Sequence, residues 1–232
     1  MEISKKKKKL TNTNRHWDWN LIAVVFVCCG VVFLLSSLQK KVGVVKKNII
    51  LFGLTASGKS TLLDSLIKLN HFRIDEEKFD GTQKTRTFIY GDYRLIDTPG
   101  LNNATMSYSN ILSQVQKGLM FNGPYLFVAV LNPDGGRFNS DMFLYLEEVF
   151  KMISKNKNLE YHLVLNRLPA ESEICNKKET FSRLFEALRI KPKTYFCIKQ
   201  NNDALKDPYR KLNDNELKPF KTLISTATYH EI

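Results

Sequence analysis

The stretch NIILFGLTASGKSTLLDSLI, residues 48–67, constrains the fold more than any other part of the 232-residue chain. An apolar run of strand character ends at Gly53, a short turn follows, and KSTLLDSLIKL continues with an apolar stripe at helical spacing. From Gly53 to Ser60 the turn reads G-x-x-x-x-G-K-S. Phosphate oxygens need several donors converging on one point. Gly53 and Gly58 let the backbone turn so that successive N–H groups face inward at the positive end of the helix. Lys59 is then placed to reach the β and γ phosphates, and the Ser60 hydroxyl to ligate Mg²⁺.

The rest of the chain supplies a frame for that loop. Apolar runs at 48–53, 86–90, 93–97, 125–131, 160–166 and 194–199 read as strands. Helical periodicity covers 59–69, 107–121, 140–154, 177–189 and 214–227; in the second of these Ile111, Val115 and Leu119 share one face. Strands alternating with helices imply a three-layer α/β sandwich around a mostly parallel sheet. The runs 86–90 and 93–97, joined by Gly91-Asp92, predict a single antiparallel hairpin. A second motif lies in YRLIDTPGLNN, where a strand ends in Asp97 and Thr98, Pro99 and Gly100 follow. D-x-x-G after a strand is how GTPases bring a carboxylate near Mg²⁺ and a glycine amide near the γ-phosphate. Between the two motifs, FDGTQKTRTF offers a threonine to cover the metal; Thr82 is the first choice and Thr85 the rival. Together these predict GTP or GDP with Mg²⁺ as the ligands.

Charge and cysteine usage narrow the class. The net charge is +12, and residues 1–38 carry six basic side chains (Lys5 to Lys9, Arg15) against two acids, leaving 29 − 21 = +8 beyond them. A basic balance suits nucleic acid or an anionic membrane face. No module of interleaved aromatics and arginines appears, so no nucleic-acid partner is expected. Cys28 and Cys29 lie inside an apolar run, Cys175 and Cys197 stand alone, and no C-x-x-C pattern occurs. Neither a disulfide nor a zinc site is expected from that spacing.

Residues 21–38, LIAVVFVCCGVVFLLSSL, are uncharged. As a helix they span about 27 Å, close to the hydrocarbon thickness of a bilayer. Trp17 and Trp19 stand where an interfacial belt would lie, and lysines bracket both ends. The run lacks a clean A-x-A-like cleavage site, which favours an anchor over a removed signal peptide. The expected plan is a basic tail over 1–20, a transmembrane helix over 21–38, a basic linker over 39–47 and a nucleotide-binding domain over 48–232. Charge does not orient the anchor; a nucleotide-binding domain requires the cytosolic side, where Lys40, Lys41, Lys46 and Lys47 would meet anionic lipid.

GLTASGKSTLLDSL, LIDTPGL, GPYLFVAVLNPDGGRFNSD and YFCIKQNND together resemble the AIG/GIMAP GTPases, a family related to septins and to the chloroplast Toc receptors. Gly123-Pro124 and Gly136-Arg137-Phe138 are the more family-specific parts of the likeness. The resemblance covers about residues 48–227 and implies a P-loop GTPase fold. It implies that Gly53, Ser57, Gly58, Lys59, Ser60 and Thr61 hold the phosphates and that Asp97 holds Mg²⁺ through water. It further places Gly100 at the γ-phosphate and Asn166, Asn201 and Asn202 beside the guanine. Lys59 and Thr82 would carry catalysis, with Ser60, Thr82 and Asp97 about the metal. Slow hydrolysis and a homodimer, or pairing with a related GTPase at a membrane, would follow.

Two departures stand out. GTPases read guanine with an Asp at the end of N/T-K-x-D, but LVLNRLPAESE has Pro169 or Ala170 there, with Glu171 able to substitute if the loop shifts. Ras-like enzymes follow D-x-x-G with a water-positioning Gln, whereas Leu101 follows Gly100 here. Both features suit a second reading, a scaffold that binds nucleotide without cycling. A third reading is an anchored subunit like the beta chain of the signal-recognition-particle receptor. Phe143, Leu146 and Phe150 read as core; His162 reads as a core-edge residue, and His71, Asp75, Glu76, Glu77 and Asp80 as solvated loop residues.

Overall fold

Strand β1 (Lys47–Phe52) is buried from Asn48 to Phe52, as an uninterrupted apolar run demands when both faces of a strand are covered. It pairs in parallel with β3 (Tyr93–Asp97) on one side and β4 (Tyr125–Leu131) on the other. The six-stranded order is β2-β3-β1-β4-β5-β6, with β2 (Arg86–Tyr90), β5 (Tyr161–Leu168) and β6 (Thr194–Lys199) completing the sheet. Among these described strand pairs only β2–β3 is antiparallel. The structure, a computed structural model, describes residues 47–69, 82–133, 140–154, 159–169, 172, 175, 186, 191–199 and 211–232. The chain divides between Gly43 and Val44 into two units, and the described residues belong to the second. The expected membrane segment 21–38, Gly136-Arg137-Phe138 and nearly all of the helix expected over 177–189 lie outside them. No helix among the described residues is long and apolar enough to cross a membrane.

Alternation along the central strands divides the core in two. Ile50 and Phe52 face one layer, where Ile111 and Val115 of α2 (Tyr108–Gly118) meet Phe143, Leu146, Val149 and Phe150 of α3 (Ser140–Ser154). Ile49 and Leu51 face the other, where Leu62, Leu63 and Leu66 of α1 (Lys59–Ile67) meet Leu217 and Phe220 of α4 (Asp214–Thr226). Each such side chain stabilises the fold by about 1.5–3 kcal/mol relative to exposure. Phe52 and Phe150 close the first layer edge to face, ring centroids 5.1 Å apart. Helix ends follow local chemistry. Ser107 caps α2 through the Asn110 N–H, and Asn213 and Glu216 form a reciprocal capping box at the start of α4.

Parallel strands send their C-terminal ends to one edge, so the segments after β1, β3 and β5 gather there. The opposite rim is closed by other means. Gly123, at φ 103°, takes a left-handed turn that delivers the Pro124 carbonyl to the Asn48 N–H at 2.8 Å. The Asn48 side chain donates to Asn122 O and Gly123 O, and His230 exchanges two backbone hydrogen bonds with Tyr125.

One expectation fails. Cys175 and Cys197 are joined by a disulfide, their Cα atoms 6.1 Å apart and 22 residues apart in sequence. Pattern reading misses it because the pairing is made by the sheet: Cys197 lies opposite Leu165 on β5, and Cys175, in the segment beyond β5, packs against the same core layer. Closing a loop of that length restricts the unfolded chain by about 3 kcal/mol in the loop-entropy treatment. Denaturant melts with and without a thiol reductant should differ by roughly that amount. In unfolded, unreduced protein Cys175 and Cys197 should resist alkylation; labelling of both would remove the bridge.

Candidate functional site

At the tip of β1 the chain leaves the sheet at Gly53 and re-enters regular structure at Gly58, whose φ of 93° is left-handed. A Cβ on Gly58 would collide with the Asn166 side-chain amide, and one on Gly53 with the Val130 carbonyl oxygen. At Gly53 the obstacle is the backbone of β4, and at Gly58 it is chiefly the positive φ, which side chains rarely adopt. The first turn of α1 follows with Lys59, Ser60 and Thr61, so its backbone N–H groups open toward the loop.

Lys59 is 5% exposed. Its Nζ donates to Gly53 O at 3.2 Å and Leu54 O at 2.9 Å, drawing the loop around the ammonium. Burial lowers its pKa to about 8, against the opposing pull of the Asp97 carboxylate. Asp97, at the end of β3, is fully buried. Desolvation raises its pKa; Lys59 nearby and hydrogen bonds from Ser60 and Thr82 act in the other direction.

Ser60, Thr82 and Asp97 meet at one point. Asp97 Oδ2 accepts from Ser60 Oγ at 2.6 Å and from Thr82 Oγ1 at 3.2 Å, and the two hydroxyl oxygens lie 3.3 Å apart. Asp97 Oδ1 is buried with no hydrogen-bond partner among the described residues. A carboxylate with a spare oxygen and two hydroxyls are hard donors, and this set fits Mg²⁺. Thr85, the rival to Thr82, is engaged elsewhere: its hydroxyl donates to Gln114 O at 2.6 Å. Gly100 approaches the loop so closely that a Cβ there would overlap Thr55.

On the base side, Asn166 is buried on β5 and its Nδ2 donates to Ser57 O at 2.9 Å. That bond ties the loop after β1 to β5. Arg167 next to it has φ 57°, and the β5–β6 register shifts between Leu165 and Leu168. The Ser172 N–H closes a turn on Pro169 O at 2.9 Å. Ala170, Glu171, Asn201 and Asn202 lie outside the described residues. Leu101 is 1% exposed and packs into the core, so the position that carries Gln in Ras-like enzymes points away from the site. Sequence reasoning missed two members of this cluster. Thr55 and Asn102 hold each other across the loop, the Thr55 N–H donating to Asn102 Oδ1 at 2.8 Å; the only signals were that Thr55 fills an unspecified position of the glycine motif and that Asn102 stands two residues past Gly100.

Residues 48–167 match the family described as 50S ribosome-binding GTPase. Among curated proteins none matches the sequence. Among solved structures, a chain from a study of dimerisation and GTPase activity in the chloroplast translocon components atToc33 and psToc159 is 17% identical, with TM-score 0.56, covering 87% of this chain and 92% of that one. Toc33 from Arabidopsis thaliana with GDP and Mg²⁺ is 19% identical, with TM-score 0.55, covering 86% and 93%. A variant of Era from Aquifex aeolicus bound to GDP and AlF4⁻ is 18% identical, with TM-score 0.51, covering 81% and 62%. At these identities the likeness is one of fold.

The buried ammonium sets a pH dependence of the ligand-free domain. Between pH 8 and 10 Lys59 is deprotonated when folded but still protonated when unfolded, because its folded pKa is about 8 against an ordinary 10.5. The unfolded chain then binds more protons, so stability rises with pH in that window, by up to about 1.4 kcal/mol per pH unit. In urea melts the stability of the wild type should rise relative to that of Lys59→Met as pH climbs from 8 to 10. Parallel curves would contradict the burial of a charged Lys59.

Proposed function

The chain belongs to the 50S ribosome-binding GTPase family, and from that premise we propose a membrane-anchored guanine-nucleotide switch of the AIG/GIMAP type that hydrolyses GTP slowly. The observation that carries the site is the convergence of Lys59, Ser60, Thr82 and Asp97 at the N-terminus of α1. In this reading the N–H groups between Gly53 and Thr61, with Lys59, bind the β and γ phosphates. Ser60 and Thr82 hold Mg²⁺, with Asp97 acting through water, and the bound cation offsets the charge of the phosphates. Gly100 offers its amide to the γ-phosphate. Asn166, already fixed on Ser57 O, orients the loop relative to guanine, with Asn201 and Asn202 completing the base side.

Slow hydrolysis follows from Leu101. A side chain sealed in the core orients no water, so the chain itself supplies positioning and electrostatics and little else. That leaves room for a second protein to complete the site. For atToc33 and psToc159, dimerisation is important for GTPase activity. We extend this to the present chain as pairing with a second copy or a related GTPase across the nucleotide face. The domain plan is the basic tail 1–20, the anchor 21–38, the linker 39–47 and the nucleotide-binding domain 48–232, the last on the cytosolic side of the membrane. The same buried Leu101 favours one other reading, a scaffold that keeps its nucleotide.

Nucleotide affinity and turnover distinguish these. Purified protein should bind GTP and GDP in the presence of Mg²⁺ and prefer both to ATP. Lys59→Ala should weaken binding by at least about tenfold, since it removes a charged partner of the phosphates. Multiple-turnover phosphate release should rise more than proportionally with protein concentration. Stoichiometric bound GTP with no release would select the scaffold; affinity unaltered by Lys59→Ala would defeat the site.

A further inference from the structure

Thr55 and Asn102 have no part in the site as read from its motifs, yet the structure locks them together where the loop after β1 meets the turn after β3. The Thr55 N–H donates to Asn102 Oδ1 at 2.8 Å, and the Leu101 N–H donates to Gly53 O at 3.1 Å. The two bonds run in opposite directions and staple the segments to each other. At the same place Thr55 Oγ1 is buried without a hydrogen-bond partner among the described residues. It lies against Gly100, close enough that no Cβ fits there. A buried hydroxyl without a partner is unfavourable, and such atoms in native proteins call for an occupant.

Gly100 is the residue whose amide faces the terminal phosphate in the function proposed above, and this inference rests on that reading. A hydroxyl in contact with Gly100 and rooted in the phosphate loop is placed to meet the same phosphoryl oxygens. We propose that Thr55 is a ligand of the terminal phosphate, donating its hydroxyl proton as a hydrogen bond to a non-bridging γ oxygen. Asn102 is its positioning residue. GDP lacks the group that satisfies Thr55, so the pair discriminates triphosphate from diphosphate. Leu101 cannot share this task, because its side chain is sealed in the core. The staple adds a consequence: the turn after β3 is held to the phosphate loop through Thr55, so filling or emptying the γ position is felt at Asn102 directly.

The test measures affinities of the full-length chain for a non-hydrolysable GTP analogue and for GDP, both with Mg²⁺, and takes their ratio. Thr55→Val keeps the shape and removes the hydroxyl; it should lower the analogue-to-GDP preference about tenfold, as for a lost hydrogen bond to a charged oxygen. Thr55→Ser should restore the wild-type preference. Asn102→Ala should lower the preference in the same direction by a smaller factor, and its effect should vanish in the Thr55→Val background. A merely structural role would weaken both nucleotides alike and leave the ratio at its wild-type value in every variant, which would overturn the proposal. Wild-type protein that binds neither guanine nucleotide would overturn the reading of the whole site instead. Should Thr55→Val fail to fold, an unchanged ratio in Asn102→Ala, which leaves the loop's own side chains intact, would still refute the pair.

Discussion

A lysine ammonium buried at the end of a buried strand is the constraint around which this domain is arranged. Lys59 cannot remain charged away from water unless oxygens surround it. The chain supplies them by folding Gly53 and Leu54 back over the side chain and by bringing Asp97 from the neighbouring strand. Each of those requirements fixes something larger. The carbonyls demand a loop of one length and curvature, which Gly53 and Gly58 permit. The carboxylate demands that β3 lie beside β1 and end level with it, which the parallel register from Lys47↔Tyr93 to Leu51↔Asp97 provides. The sheet order follows from the chemistry at its edge as much as from its core.

Much of this was legible in the sequence because both signals are local. The strand positions of β1 to β6 and the starts of α1, α3 and α4 follow from apolar runs and helical spacing, since burial on one or two faces writes directly into the residue pattern. The sequence puts Thr82 ahead of Thr85, and in the structure their hydroxyls point to different elements, Thr82 to Asp97 and Thr85 to Gln114. What stayed illegible is what the fold brings together from a distance. Cys175 and Cys197 meet because β5 and β6 pair, and no spacing rule records that. Likewise nothing in the string TPGLNN says that Asn102 reaches back to Thr55 while Leu101 turns inward.

The site is unequal in how tightly it is built. The phosphate half is over-determined: two glycines cannot be replaced without collision, and one aspartate holds two hydroxyls. The base half rests on Asn166, whose amide is committed to the loop carbonyl of Ser57. It ties β5 to the loop after β1.

The hairpin of β2 and β3 joins the two halves of the metal-facing cluster in one covalent piece. Its turn is only Gly91-Asp92, with Tyr90 opposite Tyr93, and at the open end Arg86 stands opposite Asp97, four residues beyond Thr82. The hairpin therefore behaves as tweezers whose pivot lies at Gly91 and whose tips are a hydroxyl and a carboxylate. Lengthening the pivot by one residue would slide one arm along the other and exchange inward for outward side chains down its length. The spacing of the tips is thus set at the far end of the ribbon, by a glycine that touches nothing in the site.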